Sequence, residues 1–261
     1  MVNKSEALDK LSRSAEERQL LARVWDKADA ARRGAPSWTP FLSEAQRQVV
    51  ERLMPALGGP RHIYSGGYPS AERRVCAFLP EWQSEEDWSP PFSALRCVWR
   101  SGERLTHRDF LGAVLGAGIE REKLGDILVG KESCDLLVFS ELVPYLKQNL
   151  TEAGRAKLRV EEVSLPELTL PEKTVKVIHD TVNTPRLDAV LSSGFSLSRG
   201  KAAEAISAGR VEVNHAPCLK GDKSVAQGDV LTCRGLGKCV VTELGGQSKK
   251  GRTILTIERY L

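Results

Sequence analysis

Hydrophobic positions change their period several times along the chain. Between residues 1 and 33, Leu8, Leu11, Leu20, Leu21, Val24 and Trp25 give a broken helical stripe, which Gly34-Ala35-Pro36 ends. A second helical piece starts at Ser43, a cap with Gln46 three residues on, and continues through Val49, Val50 and Leu53. These helices predict a small N-terminal unit, or a layer packed on a neighbouring domain. From 75 to 164 the pattern alternates: strand Val75–Leu79, an acidic Trp- and Pro-containing loop, strand Leu95–Trp99, helix 107–118, strands Asp126–Val129 and Asp135–Phe139, helix Glu141–Asn149 and strand Leu158–Val163. Four or five strands with two helices predict an α+β sandwich like an RNA-recognition fold. The aromatic signature of true RNA-recognition motifs is absent, so base stacking on this sheet does not follow from the sequence.

Pro166 and Pro171, then Val175, Val177 and Ile178, predict a short linker leading into a strand. Two short helices come next. Thr184 reads as the cap of the first, Pro185 as its first-turn residue and Gly194 as its left-handed stop, with Leu187, Val190 and Leu191 on one face. Ser198 reads as the cap of the second, Leu197 and Ala202 as a hydrophobic staple, Gly209 as its end, and Ala202, Ala205 and Ile206 as its buried side. Arg210-Val211-Glu212-Val213-Asn214 alternates strictly, which predicts a half-buried strand. Turns at Gly221-Asp222 and Gly228-Asp229 separate short strands at Val230-Leu231 and Val240-Val241, and Thr253–Ile257 reads as a final strand.

Charge sharpens this picture. The net charge is only +4, but residues 172–261 hold 14 Lys and Arg against 9 Asp and Glu, while the preceding part holds 24 against 25. The basic excess therefore lies in the last third of the chain, where a polyanion would need it. Ser198-Arg199-Gly200-Lys201 places two cations and unpaired backbone N–H groups at a helix N-terminus, which attracts phosphate. Arg186 and Arg210 extend that surface. Arg234-Gly235-Leu236-Gly237-Lys238 and the stretch Gly245 to Arg252 read as flexible basic loops, either phosphate clamps or mobile surface hairpins.

Other features have quieter readings. Gly66-Gly67 sits in no phosphate-binding motif and reads as a tight loop; Arg61, His62, Arg73 and Arg74 around it touch RNA or are simply solvated. Thr106-His107-Arg108-Asp109 contains the kinase letters His-Arg-Asp, but no glycine-rich loop, lysine strand or Asp-Phe-Gly accompanies it. It reads as a cap, Thr106, with Asp109 in the first turn of a helix whose apolar face is Phe110, Leu111, Val114 and Leu115. Cysteines at 76, 97, 134, 218, 233 and 239 form no Cys-x-x-Cys pair, so they read as small buried apolar residues in a reducing compartment, with no metal site and no cofactor. No apolar run approaches the ~18 residues of a membrane span, and no signal-peptide core opens the chain, so a soluble, cytoplasmic protein is expected.

The stretch RLDAVLSSGFSLSRGKAAEAISAGRVEVN resembles the RNA-binding domain first seen in small-subunit ribosomal protein four, the S-four domain. That resemblance implies binding of structured RNA through the helix pair and the following strand. By position it carries over to Arg186, Ser198, Arg199, Lys201, Arg210 and Asn214; Arg234 and Lys238 join them from the basic loop. Together with GGYPSAERRVCAFLP and HRDFLGAVLGAGIEREKLGDILVG, the stretch resembles the bacterial YlmH family, which has cyanobacterial and plastid relatives. The resemblance runs from about residue 60 onward. It implies a non-enzymatic, monomeric protein that binds rRNA and tRNA on the large ribosomal subunit and assists quality control of stalled complexes; a link to cell division is also attached to the family. The expected layout is an N-terminal helical region over 1–70, an RRM-like α+β domain over 71–165, a linker and strand over 166–180, and an S-four-like αL RNA-binding domain over 181–261. The competing class is an RNA-modifying or rRNA-maturation enzyme or accessory factor carrying an S-four module. Arg186-Leu187-Asp188 spells the letters of a pseudouridine synthase, but in the first S-four helix, and no methyltransferase or synthetase nucleotide motif is present.

Overall fold

The N-terminal stripe forms two helices, α1 (Lys4–Leu11) and α2 (Ala15–Arg32), because the chain turns extended at Ser12 and Ser14 caps the next helix. Its hydroxyl accepts the Glu17 N–H at 3.1 Å while the Glu17 carboxylate accepts the Arg13 N–H at 2.9 Å. The next helix, α3 (Glu44–Leu53), opens on the expected capping box between Ser43 and Gln46. These helices cover a three-stranded antiparallel sheet of β1 (Ser37–Trp38), β2 (His62–Ser65) and β3 (Val75–Phe78), in the order β1-β3-β2. Leu8, Leu21, Val24, Ala28, Val50 and Leu53 pack against Cys76 and Phe78. The structure, a computed structural model, describes residues 3–100, 102–171 and 175–260, and the chain divides into two units, 1–171 and 172–261.

Strand β3 thus differs from expectation: it belongs to this small sheet and does not open the alternation that follows. All four of its residues are buried, so it shows no period of two that would have marked one face as solvent. The Gly-rich loop before it is structural. A Cβ on Gly66 would lie 2.4 Å from the Arg73 carbonyl. Asp126 accepts the Tyr68 hydroxyl and the Glu72 N–H at 2.7 Å each and the Arg73 N–H at 3.0 Å. Arg73 is spent on the carbonyls of Phe41 and Leu124, Arg74 on those of Pro69 and Ala71, and Arg61 on that of Glu81. All three arginines thus hold carbonyls of the surrounding loops.

The second part of this unit is a four-stranded antiparallel sheet of β4 (Phe92–Val98), β5 (Leu124–Val129), β6 (Ser133–Phe139) and β9 (Arg159–Val163), in the order β5-β6-β4-β9. Helix α4 (His107–Gly116) links β4 to β5, and α5 (Val143–Asn149) with the hairpin β7 (Glu152–Ala153) and β8 (Ala156–Lys157) links β6 to β9. This strand-helix-strand-strand-helix-strand order, with the first and third strands central, is the RRM-like topology that the alternation predicts. Thr106 takes the cap position of α4 as expected, and Asp109 in the first turn accepts the Thr106 N–H at 2.8 Å and its hydroxyl at 2.7 Å. Phe110 and Val114 are buried beneath it with Leu95, Leu136 and Val138, whereas Leu115 faces solvent.

The other sheet face is filled by the chain itself. Phe92, Ala94, Leu137 and Phe139 pack with Phe41 and Val75, and Leu165 and Leu168 close over them. Residues 164–169, in the stretch read as linker, are held there by one ion pair. Arg96 grips Asp135 with two hydrogen bonds of 2.8 and 2.7 Å and reaches the Glu167 carbonyl, while Asp135 accepts the Thr169 N–H at 2.7 Å. In an RNA-recognition motif this face would stack bases. Here it has no room for them.

The second unit is a six-stranded antiparallel sheet: β10 (Val175–Val182), β11 (Val211–Val213), β12 (Ala216–Pro217), β13 (Val230–Cys233), β14 (Gly237–Gln247) and β15 (Thr253–Tyr260), in the order β10-β15-β14-β13-β11-β12. Helices α6 (Leu187–Phe195) and α7 (Arg199–Ser207) pack on one face of it. Strand β10 pairs with β15 over its whole length, with Val175 and Val177 exposed and Ile178 and Val182 turned inward. All six cysteines are buried and free, and burial pushes the thiols of Cys97 and Cys239 up to about 12. Among the described residues no helix is long and apolar enough to cross a membrane.

The Arg96–Asp135 pair supplies a test. Asp135 is buried, so Asp135→Ala should cost about 3–5 kcal/mol by stranding the guanidinium, whereas Arg96→Met with Asp135→Leu should cost far less. Urea unfolding followed by tryptophan fluorescence measures both; equal losses would show that the pair does not hold the segment.

Candidate nucleic-acid interface

Helix α6 starts two residues later than its sequence suggests. Arg186, not Thr184, occupies the cap position, and no side chain caps the turn. Instead the Leu187 N–H donates to the Lys223 carbonyl at 2.8 Å and the Asp188 N–H to the Gly221 carbonyl at 3.0 Å. These acceptors come from a distant loop. Gly194 also serves differently from expectation: it lies inside the helix, where a Cβ would stand 3.0 Å from the Cys239 sulfur, and Ser196 takes the left-handed stop at φ 54°. Helix α7 follows its prediction. The Ser198 hydroxyl accepts the Lys201 N–H at 3.3 Å, Ala202, Ala205 and Ile206 are buried, and Gly209 turns left-handed just past its end.

This arrangement gathers the predicted cations into two groups. In the first, Asp188 holds a pair of arginines. Arg186 donates to both carboxylate oxygens, at 3.3 and 3.1 Å, and Arg199 donates to one of them at 3.1 Å. Partial burial raises the Asp188 pKa, but the hydrogen bonds from Arg186 and Arg199 outweigh it and hold the carboxyl below its ordinary value. Two guanidinium groups, each about half exposed, are thereby aimed beside the start of α7 with one negative charge between them. Arg252, from the turn after β14, donates to the Thr181 carbonyl and shares a polar recess of about 190 Å³ with Arg199.

The second group lies on the far side of α7. Lys201, Arg210 and Arg234 line one cleft of about 380 Å³, although they come from a helix, the start of a strand and a hairpin turn. The stretch expected to be a flexible loop is in fact a tight turn between Cys233 and Gly237, closed by the Leu236 N–H on the Cys233 carbonyl at 2.9 Å. Lys238 consequently sits in β14, its ammonium 4.9 Å from the Tyr260 ring centre, and does not line the cleft. Asn214 and His215 form the two-residue turn between β11 and β12, both with positive φ. The Asn214 amide is committed there: it donates to Asp229 at 2.8 Å and accepts the Val230 N–H at 2.9 Å.

In the first unit, a recess of about 630 Å³ is lined by three cations and three carboxylates, with Arg23 on Glu122 and Lys123 on Glu141 as ion pairs. No group of three or more metal-ligating side chains occurs among the described residues.

Comparison with known proteins places a family domain in each unit. The family model for the S4 domain matches residues 185–231, the helix pair with the strands that follow, and the model described as "Putative RNA-binding domain in YlmH" matches residues 101–167. The ribosome-associated protein quality control protein P2 of Bacillus subtilis (strain 168) is 34% identical over 222 residues, which span 85% of this chain and 86% of that protein. The chain belongs to the YlmH family. A solved structure, the cell division protein ylmH from Streptococcus pneumoniae, shares the fold with a TM-score of 0.51 at 24% identity, over 60% of this chain and 96% of that one. This YlmH-family chain thus combines an RRM-like unit with an S-four domain, and the sheet face of the former is filled by its own side chains.

The electrostatics of Asp188 predict a pH dependence. A carboxyl held below its ordinary value of about 3.9 stabilises the fold fully above that pH, and the stabilisation is lost as pH falls through the lower folded value. The difference in urea midpoint between wild type and Asp188→Asn should stay constant from pH 7 to 5 and shrink below about pH 4. A difference that is unchanged at pH 3 would mean that the arginines do not hold Asp188 ionised.

Proposed function

We propose that this YlmH protein is a non-enzymatic RNA-binding factor of the ribosome, which grips structured rRNA and tRNA through its S-four domain during quality control of stalled complexes. The observation that carries the reading is the gathering of Arg186 and Arg199 on Asp188, and of Lys201, Arg210 and Arg234 around one cleft, on both sides of the same helix start. A helix N-terminus flanked by cations suits phosphate: the first N–H groups of α7 have no intrahelical acceptor, and Gly200 leaves open space above them. The ribosomal assignment is supported by the similarity to the ribosome-associated protein of Bacillus subtilis, and the large subunit is the docking site in this reading.

In this mechanism the chain does no covalent chemistry. Arg186, Arg199, Lys201 and Arg210 neutralise phosphates, the Ser198 end of α7 donates backbone hydrogen bonds, and Asp188 positions its two arginines before RNA arrives. Asn214 acts through the turn that it holds, not on RNA. Arg234 extends the surface across the cleft. Lys238 lends positive potential from β14. The first unit, which carries no excess of positive charge, selects the partner by shape, because phosphate contacts alone do not distinguish one structured RNA from another.

Two measurements test the reading. About four phosphate contacts should give a slope of log affinity against log salt of roughly −3 to −4, and Arg199→Ala with Lys201→Ala should flatten it by about 2. In a sucrose gradient of cell lysate, the tagged protein should comigrate with large subunits, and the double variant should leave them. Migration with precursor rRNA alone, or binding and slope unchanged in the double variant, would overturn it.

A further inference from the structure

The cleft beside α7 has a shape and composition that phosphate binding alone does not need. Backbone contacts require only exposed cations on a convex or flat surface, as with Arg186 and Arg199. Here Lys201, Arg210 and Arg234 surround a concavity of about 380 Å³, within the size range of small-ligand pockets, which Leu197 and the exposed Leu236 also line. Its walls are anchored. The Arg234 N–H donates to the Arg210 carbonyl at 2.8 Å, and Arg259 reaches the Leu236 carbonyl at 3.5 Å. The remaining polar group, Glu204, is at odds with a pure phosphate site. Its carboxylate is exposed and stands 4.0 Å from Arg210, a hydrogen-bond acceptor for which a phosphate has no donor.

We propose that this cleft holds one unpaired guanosine of the bound RNA, an inference that rests on the RNA-binding reading above. An A-form duplex cannot enter so small a concavity, but a splayed-out nucleotide can. Its base lies against Leu197 and Leu236, and its phosphates meet Lys201, Arg210 and Arg234. Glu204 then sets the choice of base. An ionised carboxylate only accepts hydrogen bonds. Guanine alone among the four bases presents two adjacent donors, N1–H and the N2 amino group, on its Watson–Crick edge. Adenine and cytosine place an acceptor beside their amino group, and uracil flanks its single donor with two acceptors, each of which would face the Glu204 oxygens unfavourably. The cations on the rim meet the guanine O6.

The test uses the full chain and fluorescein-labelled RNA hairpins of identical stem, with one bulged guanosine, adenosine, cytidine or uridine, or with no bulge. Fluorescence anisotropy should show the guanosine bulge bound about ten-fold more tightly than the other four, the scale of one bidentate base contact. Glu204→Gln, at an exposed position, should erase that preference without weakening the unbulged hairpin, since it removes a negative charge beside Arg210. Leu236→Ala should weaken only the bulged hairpins. Equal affinity for all five hairpins, or a guanosine preference that survives Glu204→Gln, would overturn the pocket while leaving RNA binding intact. Failure to bind any hairpin at low salt would instead overturn the RNA-binding reading itself, and this proposal with it.

Discussion

The proposed RNA interface depends on how closely α6 approaches its sheet. Leu187, Val190, Leu191 and Phe195 are buried against Cys239, Val241, Leu255 and Ile257, and Gly194 lets the helix settle onto Cys239 without a Cβ in the way. Full burial of each large side chain contributes about 1.5–3 kcal/mol, so this face anchors the helix firmly. The sheet beneath is in turn framed by the end-to-end pairing of β10 with β15, the first and last strands of the unit. The cations of the proposed interface are carried by the start of α6, by α7 packed beside it, and by strand β14 and the turns and strand ends of that sheet. A rigid scaffold presents long, flexible side chains, and little entropy remains to be lost when they meet phosphate.

Electrostatics divide the two units. The S-four unit gathers the basic excess, yet it does not leave its arginines free: Asp188 sacrifices part of the positive charge to orient Arg186 and Arg199. A single carboxylate between two guanidinium groups keeps a net positive charge and gives it direction, which a spread of solvated lysines would not. The first unit is close to neutral, its main recess is balanced in charge, and its sheet is buried on both faces. An RRM-like topology has here been turned from a base-stacking platform into a packed core, with Arg96 and Asp135 locking residues 164–169 over the face that would have met RNA.

Local patterns were legible because their causes are local. The capping boxes at Ser43 and Thr106, the cap at Ser198, the left-handed Gly209 and the alternation of Val211 and Val213 all depend on residues within a few positions of one another, and all stand as the sequence reads. So do the α+β class, the RRM-like order of elements and the S-four helix pair. The misreadings have one physical origin. Thr184 looked like a cap because the true acceptors for the first turn of α6 are the carbonyls of Gly221 and Lys223, far along the chain. Gly194 looked like a stop because its reason, the sulfur of Cys239, is equally remote. Strand β3 carried no mark of its sheet, since both its faces are buried.

The amino-acid sequence by itself therefore determined the elements, the class of fold, the basic character of the last third and the residue types suited to phosphate. Periodicity, capping and charge act over a few residues and need no tertiary information. Only the tertiary structure decided which cations stand together: Arg186 with Arg199 through Asp188, and Lys201 with Arg210 and Arg234 around a cleft that includes Glu204. It also set the Asn214 amide on Asp229 in the turn after β11 and the Lys238 ammonium over the Tyr260 ring. Such groupings follow from long-range burial and strand pairing, which bring side chains from separate elements within a few ångströms and leave no trace in the spacing of the residues that they join.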